Sequence, residues 1–237
     1  MRKILVFAMA AMLAGAAFAD DDAGNYAGGW DNVSSYGTGF STWSFTQAGG
    51  YWAPQYSTDV DLSDFGDISS SDRVLAVNYG TGYVNANRDI TTWGTDFLFT
   101  IDLATQWRDG NRGIDLVDSG NATLFNFNIS NTSYGPTAWT YYSDMVLSFS
   151  AYQNGANLDI EVVGSSAAGA WTDTYSTSVA GTLDGFSLYS GDTGGGNNNT
   201  ALLANNMTVT APVPEPATMS LLGLGALAMV LRRKIRK

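Results

Sequence analysis

Four carboxylates recur at short intervals in Asp59-x-Asp61-x-x-Asp64-x-x-Asp67, and Asp72 follows. Clustered carboxylates offer oxygen ligands to a hard cation, so calcium is the one cofactor this segment could hold. An EF-hand spacing fails, because Ser63 stands where a ligand is needed and Asp64 where glycine is needed. The alternative is a solvated acidic loop. Seven tryptophans form a second group of candidates. Trp30, Trp52, Trp93, Trp107 and Trp139 lie beside turn or polar residues, where an exposed ring could stack on a sugar face. Trp43 and Trp171 fall inside apparent strands and are expected in the core. A third group is Leu158-Asp159-Ile160-Glu161, two acids alternating with two apolar residues. Retaining hydrolysis of a glycosidic bond needs two carboxylates about 5 Å apart. Glu161 is the sole glutamate between residues 20 and 211, and this strand offers it no such partner. An ordinary strand with outward acids is the expectation there.

The rest of the inventory excludes more chemistry than it allows. The chain has no histidine and no cysteine. That removes Ser-His-Asp and Cys-His nucleophile systems, His-ligated zinc or iron, and disulfide support. No lysine occurs between residues 20 and 211, which removes P-loop and Schiff-base chemistry. In that stretch 21 carboxylates face four arginines, Arg73, Arg88, Arg108 and Arg112, a net charge of −17. So acidic a surface repels nucleic acid and favours solubility. The chain reads as no enzyme.

The elements that must position these residues follow a period of two. Phe97, Phe99, Ile101 and Leu103 alternate with Leu98, Thr100, Asp102 and Ala104. Phe125, Phe127 and Ile129 alternate with Asn126 and Asn128. Residues 145–152, 158–163, 186–189 and 207–210 also read as strands, and residues 41–45, 74–79 and 114–117 are weaker members. Asp109-Gly110-Asn111, Asp118-Ser119-Gly120-Asn121, Asn154-Gly155 and Gly194-Gly195-Gly196-Asn197 punctuate them. No helical stripe is sustained between the two ends. The predicted fold is all-β, a two-sheet antiparallel β-sandwich over residues 20–211.

Both ends read as address labels. Arg2 and Lys3 precede the apolar run Ile4 to Ala16, and Ala17-Phe18-Ala19 fits a small-x-small cleavage site with Asp20 first in the mature chain. Residues 1–19 are therefore expected to be a secretory signal peptide, removed by signal peptidase. At the other end Pro214-Glu215-Pro216 lies in a linker, residues 212–218, that the prolines keep extended. An apolar segment follows, residues 219–231, and then six residues, 232–237, of which five are basic. As a helix the uncharged run from Ala217 to Leu231 would span about 22 Å, short of a roughly 30 Å hydrocarbon core unless flanking Arg and Lys snorkel. The positive-inside rule places those basic residues in the cytoplasm and the body of the chain outside.

This tail resembles the PEP-CTERM sorting signal of Gram-negative bacteria, with motif, hydrophobic segment and basic cluster in order. The resemblance implies recognition by an exosortase, a membrane-embedded processing enzyme that cuts near the motif. Pro214, Glu215 and Pro216 are then recognition elements only. It also implies an exported protein, secreted or at the cell surface, held in the membrane by its C-terminal helix until processed. The body resembles concanavalin A-like and laminin-G-like jelly rolls. Gly39-Phe40-Ser41-Thr42-Trp43-Ser44-Phe45, Gly113 to Asp118 with Thr123 to Phe127, and Leu183 to Tyr189 with Asn205 to Val209 carry that likeness. Leu158 to Glu161 resembles the catalytic strand of laminarinase-type hydrolases, but Asn157 stands where the nucleophile belongs. The functional expectation is a non-enzymatic surface or matrix protein, with a carbohydrate-binding, lectin-like module acting on exopolysaccharide as the alternative.

Overall fold

The alternation written into the sequence becomes two antiparallel sheets. A computed structural model describes residues 17–26, 30, 36–48, 54–57, 68, 73–77, 82–91, 97–105, 110–130, 135, 145–166, 169–191 and 201–210. All lie within one compact unit, Ala17–Thr210. The strands are β1 (Ala17–Asp21), β2 (Ser44–Ala48), β3 (Pro54–Ser57), β4 (Val74–Val77), β5 (Tyr83–Asp89), β6 (Leu98–Thr105) and β7 (Asn111–Val117). They continue as β8 (Thr123–Ser130), β9 (Met145–Asn154), β10 (Asn157–Ser166), β11 (Gly169–Ser178), β12 (Gly185–Gly191) and β13 (Leu202–Thr210). A short 3-10 turn, Ala23–Tyr26, follows β1. Among the described residues the larger sheet runs β11-β10-β9-β6-β13-β4-β3, with β1 also on β13, and the smaller runs β2-β5-β12-β7-β8.

The inward positions fill the space between the sheets. Phe99 of β6 stacks on Phe186 of β12 with ring centroids 5.0 Å apart. Phe127 of β8 meets Phe149 of β9 edge-on at 5.9 Å. These contacts cross from one sheet to the other, and aromatic pairs at such offsets add to the area they bury. In β10, Leu158, Ile160 and Val162 are buried while Asp159 and Glu161 face solvent. That is the ordinary alternating strand expected of this segment.

One polar cluster lies inside. Asp21 and Arg88, 0% and 2% exposed, form an ion pair. Tyr26 Oη donates to Asp21 Oδ2 at 2.5 Å, and Asn25 Nδ2 donates to Asp21 Oδ1 at 2.8 Å. Trp43 Nε1 donates to Tyr26 Oη at 2.8 Å. The guanidinium also donates to the carbonyls of Ser41 and Tyr36, at 2.9 and 2.8 Å, and lies over the rings of Phe40 and Trp43. Burial dominates the environment of the Tyr26 phenol and raises its pKa. So saturated a pair is how a charge survives in a core.

Candidate functional site

The register of the smaller sheet brings outward side chains from five strands into rows. One row reads Ser44, Asn87, Ser187, Asp115, Asn126 across β2, β5, β12, β7 and β8. The next reads Thr46, Asn85, Tyr189, Gly113, Asn128. Exposure along the first row falls from both edges to the middle. Ser44 and Asn126 are exposed, Asn87 and Asp115 half-buried, and Ser187 only 5% exposed. The face is therefore a trough with β12 along its floor. It forms a cavity of about 550 Å³ between Thr42, Asp89, Asn121 and Thr123 at one end and Thr46 and Asn85 toward the other. A further cavity of about 360 Å³ shares Asn85 and Asp115 and continues past Tyr189 to Tyr83. These sizes suit a bound small ligand or a segment of polymer.

Hydrogen bonds fix the wall beside β8. Asn126 Nδ2 donates to Asp115 Oδ1 at 2.7 Å and to Tyr189 Oη at 2.9 Å. Tyr189 in turn donates to Asn128 Oδ1 at 2.8 Å. The tyrosine can lie this way because Gly113 has no side chain. A Cβ there would come within 2.8 Å of Tyr189 Oη and 2.0 Å of the Phe127 carbonyl oxygen. Burial raises the Asp115 pKa, and the hydrogen bond from Asn126 partly offsets it. Burial likewise raises the Tyr189 phenol. At the far end Asp118 accepts the amides of Gly120 and Ala122 at 2.9 and 2.8 Å. That turn holds Asn121 at positive φ on the trough rim. Ser187 Oγ is buried on the floor without a protein partner. The arrangement presents amides, hydroxyls and a carboxylate in paired donor and acceptor sets. It can hold a polyhydroxylated ligand by hydrogen bonds.

The residues singled out from sequence are placed differently. Trp30 does not offer a stacking face and is a correction. It is 5% exposed and packs edge-on against Trp43 and Phe45 at 4.9 and 5.2 Å. Three rings that satisfy one another's faces and edges are more stable enclosed than in water. Trp43 is in the core as expected, and Trp171 is half-buried over Gly164. Trp52, Trp93, Trp107 and Trp139 lie outside the described residues, as do Asp59, Asp61, Asp64 and Asp67. Among the described residues no three acidic side chains are placed to hold a metal ion. The bond between Ala19 and Asp20, where signal cleavage is expected, lies inside β1, and Ala19 is fully buried. Ala17 pairs with Thr210 in the neighbouring strand. Pro214, Glu215 and Pro216 and residues 219–231 lie outside the described residues. Among the described residues no helix is long and apolar enough to cross a membrane.

Sequence reasoning did not find the trough. One signal was present in Asn85-Ala86-Asn87 and Asn126-Phe127-Asn128. Asparagine is depleted in strands, so two such alternations on strands ask for a purpose. Ser187 and Asp115 carried no signal, because only pairing register puts them side by side.

No curated protein matches the chain. Among solved structures it is similar to the alginate lyase AlgAT5 of polysaccharide lyase family 7, at 13% identity over 65% of this chain and 81% of that one, with a TM-score of 0.41. It is similar to the CBM2 module of the evolved Dit of Lactobacillus casei BL23 phage J-1, at 10% identity over 78% and 94% of the two chains, TM-score 0.44. A third likeness is to lectin UEA-II complexed with galactose, at 12% identity over 77% and 96%, TM-score 0.40. Residues 212–234 match the PEP-CTERM protein-sorting motif, and the chain carries that signal beyond a β-sandwich body.

Proposed function

We propose that this chain is an exported, non-enzymatic protein that an exosortase processes and delivers to the cell surface or extracellular matrix. The sorting motif at residues 212–234 carries the reading. Only residues 211–213 separate the last strand residue, Thr210, from Pro214, so the motif follows the folded body directly in sequence. The absence of catalysis is supported by the sequence inventory, which lacks histidine and cysteine throughout. Glu161 and Asp115 also stand on different sheets, so the body's one glutamate is no partner for the trough carboxylate. Intact-mass measurement of the surface-located protein is expected to return a chain lacking residues 1–19 and residues 232–237. A full-length product retained in the cytoplasm, or a surface form that keeps Arg232 to Lys237, overturns the proposal.

A second reading is favoured by the trough. Amide and hydroxyl pairs along its walls fit a carbohydrate, so the body serves as a lectin-like module on exopolysaccharide. A glycan array probed with and without calcium is expected to show retention of at least one polysaccharide class. No hit across broad classes leaves the body a purely structural role.

A further inference from the structure

We infer that the trough takes a linear, electrically neutral glycan laid along β12, and excludes polyuronates and sulfated glycans. The inference rests on the carbohydrate-binding reading and adds the orientation and the charge class of the ligand.

The orientation follows from where the depth lies. Side chains at the two sheet edges stand exposed while β12 and β7 form the floor, at Gly185, Ser187 and Gly113. The two cavities therefore lie end to end along β12 rather than side by side across the sheet. Seven residues of β12 extend about 23 Å at about 3.3 Å each, room for several sugar rings in line. At the end near Gly191 stands Tyr83, 46% exposed, the largest exposed ring beside the trough. It supplies the apolar platform for one ring face that the tryptophans were expected to give. At the centre Ser187 Oγ, enclosed and without a protein partner, needs one from the ligand. A sugar hydroxyl, donor and acceptor at once, supplies it.

The charge class follows from what is missing in sequence and what is turned inward. No lysine occurs between residues 20 and 211. Arg88 borders the trough by its backbone strand, but its guanidinium is buried on Asp21. Among the described residues Arg112 points into the core from β7 and Arg73 precedes β4 in the other sheet, while Arg108 lies outside the described residues. Among the described residues, the charged side chains that face the trough, Asp89 and Asp115, are both acids. A polyanion would bring its carboxylates or sulfates against exposed Asp89 and half-buried Asp115, and at Asp115 repulsion is less screened than on an open surface. A peptide would need apolar pockets for its anchors, and the walls offer amides and hydroxyls instead.

The purified full-length chain is to be run by affinity electrophoresis and calorimetry against a neutral β-glucan, a neutral galactomannan, a polyuronate and a sulfated galactan, at low salt and at 0.5 M salt. Retention by a neutral polymer that persists in salt is expected, with at least tenfold weakening in Asn87→Ala and in Asn126→Ala. Ser44→Lys with Thr46→Lys changes two exposed residues on one wall, so folding is kept, and it is expected to create polyuronate binding that salt abolishes. Preference of the unmodified chain for the polyuronate or the sulfated galactan, with or without calcium, overturns the charge assignment and leaves the carbohydrate reading standing. Neutral binding untouched by all these substitutions moves the site off this face and overturns the inference. Retention by none of the four polymers overturns both.

Discussion

Two carboxylates in this molecule illustrate opposite solutions to burial. Asp21 is enclosed and matched by Arg88, Tyr26 and Asn25. Asp21→Asn leaves a buried guanidinium without its counter-charge and is expected to cost about 3–5 kcal/mol, read by urea denaturation. Replacing Asp21 and Arg88 together by leucine and methionine is expected to cost less than the single change. Asp115 is half-buried with one amide donor, and burial holds its pKa in the folded chain above its ordinary value of 3.8. The folded state then binds the proton more readily than the unfolded chain. Its contribution favours folding at pH below 3.8 and is lost as pH rises through the higher folded value. Asp115→Asn removes that slope, so the difference in melting temperature between variant and parent should shift in favour of the variant as pH rises from acid to neutral. A difference that stays constant with pH contradicts the assignment. Neither environment was legible in the sequence. Asp21 stands second in the expected mature chain and Asp115 lies within the Gly113 to Asp118 passage, and nothing in either neighbourhood of sequence announces burial.

At the scale of the strand, legibility followed the purity of the alternation. β6, β8, β9 and β10 carry apolar residues at every second position, and each was expected close to where it lies. β5 was missed because its inward set is Val84, Ala86 and Arg88. A charge at a core position breaks the pattern, and only Asp21, 67 residues away, makes it tolerable. β11 was missed because, as a sheet edge rich in threonine and serine, it buries little on either face. β1 was missed because its residues resemble a leader's cleavage site more than a strand. The β7–β8 ladder carries its own prediction. A Cβ on Gly113 would meet the backbone carbonyl of Phe127 at 2.0 Å, and a backbone group cannot swing away as a side chain can. Gly113→Ala is expected to destabilise the body by about 1–3 kcal/mol in thermal or urea melts, by forcing the two strands apart. Gly155→Ala, where nothing lies within 4 Å of the new methyl but φ is +60°, isolates the cost of backbone conformation without the collision.

For the whole molecule, the sandwich class was readable from strand period and turn chemistry. The sorting signal was readable from three short blocks of residues that need no fold to be recognised. The trough was not, since it exists only once five strands from four separate stretches of chain take their register. One feature of that assembly bears on how the protein would behave under load. β13 runs to Thr210, with β6 along one edge and, along the other, β4 and then Asp20 and Asp21, the part of β1 that remains once residues 1–19 are removed. A tug drawn along the axis of β13 would strain the hydrogen bonds on both flanks together, as a shear lap joint, instead of peeling them apart one after another. The face that would grip a polymer belongs to the opposite sheet. Drag on that polymer would therefore cross the aromatic packing between the layers before it reached the tether.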